Sequence, residues 1–215
     1  MNAQTTNPFA ELFAQFGSID VIKSSSPLLA HYTDIATAEQ VITNDTIWLS
    51  NPLFMNDISE VRFGIIAGVE IFRANPHVFP AAGSDNRLKI IQTAFETAFA
   101  KDRNELSLDS YVFCFSKHDV ETDSDGRLSM WRAYGGNGEG AAIVLSTAEL
   151  ANQNGPSPLL LAEVKYKSHE EQRDLLRKIV DQWCAVVKQS NFPDALLDWA
   201  SYSLFLLIKY FALSY

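Results

Sequence analysis

The sequence predicts an α+β fold: a single domain with a small central mixed or antiparallel sheet flanked by helices. Three observations lead there. Apolar residues at helical spacing crowd the first and last thirds of the chain, and short β-rich runs occupy the middle. A length of 215 residues with 47% hydrophobic and 20% charged side chains suits one sizeable core. No repeat or low-complexity stretch appears, so loop signals such as Ser26-Pro27, Gly83-Ser84 and Asn154-Gly155-Pro156 read as connections within one domain. Residues 1–28 read as an N-terminal helix and linker, and 29–215 as the domain.

The elements follow in order. Thr33 or Asp34 caps a short helix with Ile35, Ala38, Val41 and Ile42 on its inner stripe, stopped by Asn44-Asp45. Ile47-Trp48-Leu49 reads as a brief β segment. Val61, Ile65, Ile66, Val69 and Phe72 mark a second helix, ended by Asn75-Pro76, and Leu88, Ile91, Phe95, Ala98 and Phe99 a third. Residues 110–116 are β-rich on both faces, the pattern of a strand in the middle of a sheet. Residues 141–145 and 159–166 give two more strands. Ser168-His169-Glu170-Glu171 is a capping box ahead of Leu175, Leu176, Ile179, Val180, Trp183 and Val187. Pro193 opens the last helix at a first-turn position.

Composition excludes several function classes. The net charge of −9 disfavours non-specific nucleic-acid binding, because an acidic surface repels a phosphate backbone. Cys114 and Cys184 stand far apart with no CxxC partner, so neither a disulfide framework nor a zinc knuckle is signalled, and a reducing, cytoplasmic location is expected. The N-terminus has no basic residue before Lys23 and no secretory h-region. The apolar stretch 195–213 carries Asp198 and Lys209 among its serines, so a buried or partner-facing helix is expected in place of a membrane span. No GxSxG surrounds any serine, no HExxH-type spacing marks a metal site, and Cys114 between two phenylalanines in a strand suits an inert thiol.

Four places could carry chemistry. His31-Tyr32-Thr33 sits where a strand end meets a helix start, a junction that presents donors to a ligand; a histidine packed on the sheet with Thr33 merely capping fits the same residues. Asn56 and Asp57 form a polar turn ahead of Glu60, and serve equally as an ordinary helix cap. Met130, Trp131 and Tyr134 share a face of one short helix, either an aromatic ledge for a ligand or core. The glycines at 135, 136, 138 and 140 lack the Gly-Lys-Ser/Thr of a phosphate cradle and suit a tight helix-to-strand connection.

The order of these pieces resembles the bacterial domain-of-unknown-function family 2971. The matching words are Leu29-Ala30-His31-Tyr32-Thr33; Ile47 to Pro52 with Phe54, Asn56-Asp57 and Glu60; Phe113-Cys114-Phe115-Ser116; Met130 to Tyr134 with Gly140; and Val164-Lys165-Tyr166. Members of that family continue with a Glu-x-Glu-x-Arg-like run absent before Tyr215, which leads us to expect a truncated chain. A more distant similarity is to ADP-ribosyltransferase-like domains. It implies NAD as the substrate, His31 on a ribose hydroxyl with help from Thr33, and Tyr134 or Trp131 on the nicotinamide. Tyr32, Asn56, Asp57 and Ser116 would complete the substrate site, and no metal is implied. The late catalytic glutamate of such enzymes has no matching motif here. Glu139 and Glu163 are the available substitutes, so the chain by itself is expected to be weakly active or inactive.

Two functions therefore compete: a nucleotide-using transferase that modifies a macromolecule, and a non-catalytic interaction module of a bacterial defence or stress system that docks through its C-terminal apolar helix. What separates them is whether His31 and Tyr134 open into one hollow with the Asn56 turn at its rim.

Overall fold

The computed structural model describes residues 7–16, 24–52, 58–105, 111–148 and 161–214. It has an α+β architecture in which the sheet and most of the helices belong to different compact units. One unit gathers Met1–Gly17, Pro52–Asp109 and Ala162–Tyr215, and the other gathers Ser18–Asn51 and Ser110–Leu161.

The first unit is helical. It contains α1 (Ala10–Ala14), and in the second segment the helices that follow at Ile58–Ala74, Val78–Ala82 and Asp85–Glu105, numbered α3, α4 and α5 in chain order. It ends with α7 (His169–Ser190) and α8 (Leu197–Ser214). The apolar stripes predicted for α3, α5 and α7 meet, except that Ile66 of the α3 stripe is exposed: Phe72, Ile91, Phe95, Leu176, Val180 and Trp183 are all sealed in one cluster. Phe72 stacks on Phe95 at 4.0 Å between ring centroids, and Trp183 satisfies its indole N–H on the Ala200 carbonyl at 2.9 Å, as a buried tryptophan must.

Helix α8 is apolar nearly all round and correspondingly buried, from Leu197 through Leu204 and Ile208 to Phe211. Its serines at 201, 203 and 214 donate back to carbonyls one turn earlier, which satisfies them without outside partners. By length and composition Asp194–Ser214 would also cross a bilayer, but it packs here as a core helix. Close approach to α3 depends on Gly68, where a Cβ would come within 2.4 Å of Ile208 Cγ2. The Ser168 capping box is complete in both directions, with Glu171 Oε2 accepting from the Ser168 N–H at 2.9 Å. Pro193 lies one position earlier than expected, as the N-cap of a short 3-10 turn, Asp194–Leu196, that leads into α8.

The second unit holds a three-stranded antiparallel sheet built from β1 (Leu28–Asp34), β2 (Ser116–His118) and β3 (Gly140–Ser146), in the order β2-β1-β3. Among the described residues it also holds the helices α2 (Ile35–Asn44) and α6 (Leu128–Tyr134). Strand β1 pairs with β3 along its whole length, from Leu28 opposite Ser146 to Asp34 opposite Gly140, and with β2 from Leu28 opposite His118 to Ala30 opposite Ser116.

Several expectations need correction. The β-rich run 110–116 is not the central strand: β1 is central, β2 starts only at Ser116, and Val112 makes an isolated bridge to Ser50. The Ile47-Trp48-Leu49 segment is not a strand, and its three side chains are exposed. Of the expected strand 159–166, residues 159 and 160 lie outside the described residues. The remainder forms no strand, with the Lys165 N–H donating to the Ser214 carbonyl at 2.9 Å. Finally, the stripe of α2 is not core: only Ala38 is buried.

Candidate functional site

Strand geometry decides where the first candidate residues go. Successive side chains of β1 point to opposite faces, so His31 and Thr33 share one face of the sheet while Ala30 and Tyr32 share the other. The imidazole of His31 lies 4.1 Å from the Phe113 ring between centroids, and its Nδ1 is 2.9 Å from the Cys114 carbonyl oxygen. A carbonyl only accepts, so Nδ1 carries the proton, and in the neutral ring Nε2 is the acceptor. Thr33 does not cap α2. Asp34 does, with one carboxylate oxygen accepting from the Thr37 N–H at 2.8 Å and the other from its hydroxyl at 2.9 Å; these bonds hold the Asp34 carboxyl below its ordinary range.

On the opposite face Tyr32 is buried, and its ring meets the edge of Trp131 at 4.8 Å and 87°. Its phenol oxygen accepts from the Arg127 backbone N–H at 2.8 Å, and the Trp131 indole N–H donates to the Asp125 carbonyl at 2.7 Å. The loop ahead of α6 is thus pinned at two points to the same aromatic pair. Gly126, with φ +78°, lets it pass: a Cβ there would sit 2.7 Å from Trp131 Nε1 and 2.8 Å from the Tyr32 oxygen. The loop is turned by Asp119, whose carboxylate accepts from the Glu121 N–H at 2.9 Å, and by Arg127 paired with Asp123 at 2.9 Å. The bond from Glu121, followed by that from the Thr122 side chain, holds the Asp119 carboxyl below its ordinary range.

Beyond α6 the chain turns through a 3-10 segment, Gly136–Gly138, into β3. An open hollow of about 530 Å³ forms there, lined by Trp131, Arg132, Gly135, Gly138 and Gly140. Arg132 is exposed and makes no ion pair among the described residues, and Glu139, between two of the lining glycines, is exposed as well. The hollow combines an indole, a guanidinium and a glycine-lined backbone, and so presents an aromatic surface and a positive charge side by side.

The candidate residues are only partly brought together. Tyr32 and Trp131 touch, and Trp131 reaches the hollow. His31 is not among the lining residues and packs on the other face of the sheet, with Phe113 and the Cys114 carbonyl. Tyr134 does not line the hollow either and is 54% exposed at the end of α6. Ser116 lies on the Tyr32 face, opposite Ala30; its hydroxyl oxygen, like His118 Nδ1 two residues on, is buried without a hydrogen-bond partner among the described residues. Asn56 and Asp57 lie outside the described residues. Glu163 is exposed in the helical unit. No cluster of three His, Cys, Asp or Glu side chains suited to a metal ion occurs among the described residues.

Sequence reasoning passed over Gly126, Arg127 and Arg132. The Asp125-Gly126 pair is a turn dipeptide and was the available signal for the first two. Arg132 carried none, since an arginine on a short helix is ordinarily only solvated.

No curated protein and no solved structure matches the chain. The words Leu29 to Thr33, Ile47 to Glu60 and Phe113 to Ser116 fall outside the family match, whereas Met130 to Tyr134, Gly140 and Val164 to Tyr166 fall inside it. Residues 130–190, from α6 through the hollow and β3 to the end of α7, match the model of the family described as "Protein of unknown function (DUF2971)", and the chain is similar to that family over this stretch.

Proposed function

We propose that the sheet-bearing unit binds a nucleotide in the hollow beside Trp131 and Arg132, with NAD as the ligand and ADP-ribosyl transfer as the chemistry. The observation that carries this reading is the hollow itself. Its indole can contact a flat heterocycle, Arg132 can pair with a pyrophosphate oxygen, and glycines at 135, 138 and 140 let a ligand approach the backbone closely. Transfer would break the bond between the anomeric carbon and nicotinamide, which leaves with the bonding pair, while an acceptor atom forms the new bond and gives up its proton. Positive charge develops at the anomeric carbon, so a carboxylate is required nearby, and Glu139 is the acid that the chain places between lining residues. His31 packs on the opposite face and Tyr134 does not line the hollow, so the two do not share it as the transferase resemblance implied, and the nucleotide reading rests on Trp131 and Arg132 in their place.

The test is a thermal-shift and calorimetric titration of the full chain with NAD, ADP-ribose, ATP and GTP. Ligand at 100 times its dissociation constant should stabilise by about 2.7 kcal/mol. Arg132→Ala and Trp131→Leu should remove the shift and His31→Ala should retain it. No shift with any of the four, or a shift indifferent to Arg132, would remove the proposal. Labelled NAD then reads turnover, which should be weak in this chain and which Glu139→Gln should abolish.

A further inference from the structure

The hollow beside Trp131 has a second, acidic bank. Side chains alternate along β1, so Ala30, Tyr32 and Asp34 point to one face of the sheet, the face on which Tyr32 meets Trp131. Asp34 stands opposite Gly140 at the end of the β1–β3 ladder, and Gly140 lines the hollow. A Cβ added at Gly136, in the turn between the lining glycines, would lie 3.9 Å from the Asp34 Cβ. Strand pairing and the glycine turn thus bring an exposed carboxylate to the edge of the hollow.

That carboxylate is fixed in place. One oxygen accepts from the Thr37 N–H at 2.8 Å and the other from the Thr37 hydroxyl at 2.9 Å, and each keeps a further lone-pair site. Glu139 adds a second exposed acid next to Gly140, and Arg132 pairs with neither among the described residues. A ligand spanning the hollow therefore meets a positive charge at one end and negative charge at the other. Oxidised NAD has the matching polarity: an anionic pyrophosphate and a pyridinium ring that carries a positive charge. Reduced NAD keeps the pyrophosphate and nearly the same shape but has lost the ring charge, and ATP and GTP offer only negative charge. We propose that Asp34 is a specificity-determining residue of the hollow, drawing the pyridinium end of NAD toward Gly140 and favouring the oxidised over the reduced dinucleotide. This rests on the nucleotide reading above and adds which redox form is the ligand. Because Asp34 is already held by Thr37, no side chain has to be ordered when the ring arrives.

Calorimetric titrations of the full chain with oxidised and with reduced NAD test it. The oxidised form should bind about fivefold or more tightly, the contrast that one unit charge produces at contact distance even in bulk water. The ratio should shrink as salt is raised. Asp34→Asn keeps an oxygen for the Thr37 N–H, so α2 stays capped, and should lower the ratio toward one; Asp34→Ser, a second uncharged cap, should act alike. Thermal melts check that each variant folds. Glu39→Gln, which removes another exposed acid from the same helix, should leave the ratio unchanged. Equal affinity for the two forms, a ratio that both Asp34 variants leave intact, or an equal fall with Glu39→Gln would each overturn the inference while the nucleotide reading stands. Binding of neither form would remove that reading and the inference with it.

Discussion

Lys209 Nζ lies 2.7 Å from Asp102 Oδ1, and the two side chains are only 11% and 12% exposed, so the last helix of the chain is tied to α5 by a charge pair almost wholly withdrawn from water. Removing one partner strands the other charge in the core. Lys209→Met should therefore cost about 3–5 kcal/mol. The double variant Lys209→Met with Asp102→Leu should regain most of that loss, because it removes both desolvation penalties and keeps apolar volume. Urea unfolding of the two single variants and the double variant measures this directly. Additive losses in the double variant would show that the pair does not act as a unit.

The two thiols should separate by reactivity. Burial, with the nearby Asp181 carboxylate as a second cause, pushes the Cys184 thiol up to about 12, so almost none of it is thiolate at pH 8. Cys114 is exposed. A disulfide reagent at pH 8 should modify one thiol in the native protein and both in denaturant. Labelling mapped by mass spectrometry should find Cys114 in the native sample, and rapid native labelling of Cys184 would show that the core around Trp183 opens.

Acid should destabilise both units. Asp34 and Asp119 in the sheet-bearing unit are held below the ordinary carboxylate range, Asp34 by the Thr37 N–H and Asp119 by the Glu121 N–H. Glu96 and Glu171 in the helical unit are held low by the Arg73 and Ser168 bonds respectively. A carboxyl lowered on folding contributes its stability above its unfolded pKa and loses it as pH falls through the folded value. Thermal midpoints should therefore be level from neutrality to about pH 5 and fall below it. Glu96→Gln, which removes the Arg73 pair, should flatten part of that fall in the helical unit.

How much of this was legible follows from which interactions are local. Two helices were readable because their signals are local: the structure ends one at Ala74, just before the Asn75-Pro76 stop, and starts the other at His169, just after the Ser168 cap. The centre of the sheet was not. Residues 110–116 have stronger β composition than Leu-Leu-Ala-His-Tyr-Thr-Asp, yet β1 is central because it finds partners on both sides, more than eighty residues away in sequence. That pairing also sets which face each residue takes, and so parts His31 from Tyr32, which adjacency in sequence suggested would act together. In α2 the period was right and the inference of burial was wrong, since periodicity identifies an apolar face without saying what covers it.

The wall of the hollow rests on Tyr32, and this gives the last prediction. Tyr32→Phe keeps the ring against Trp131 but removes the oxygen that accepts from the Arg127 N–H, leaving that donor without its partner. Such a loss costs about 1–3 kcal/mol where the donor stays shielded from water. Gly126→Ala acts on the same contact from the other side, forcing a Cβ against both the indole nitrogen and the phenol oxygen at a positive φ. Both substitutions should lower the melting temperature. Both should also weaken nucleotide binding although neither residue lines the hollow, because Trp131 is held by the loop that they anchor. His31→Ala is the control: it removes a ring from the opposite face of the sheet, so any loss of stability there should leave nucleotide affinity at its original value. A Tyr32→Phe variant with unchanged affinity would mean that the Trp131 wall is positioned by α6 alone.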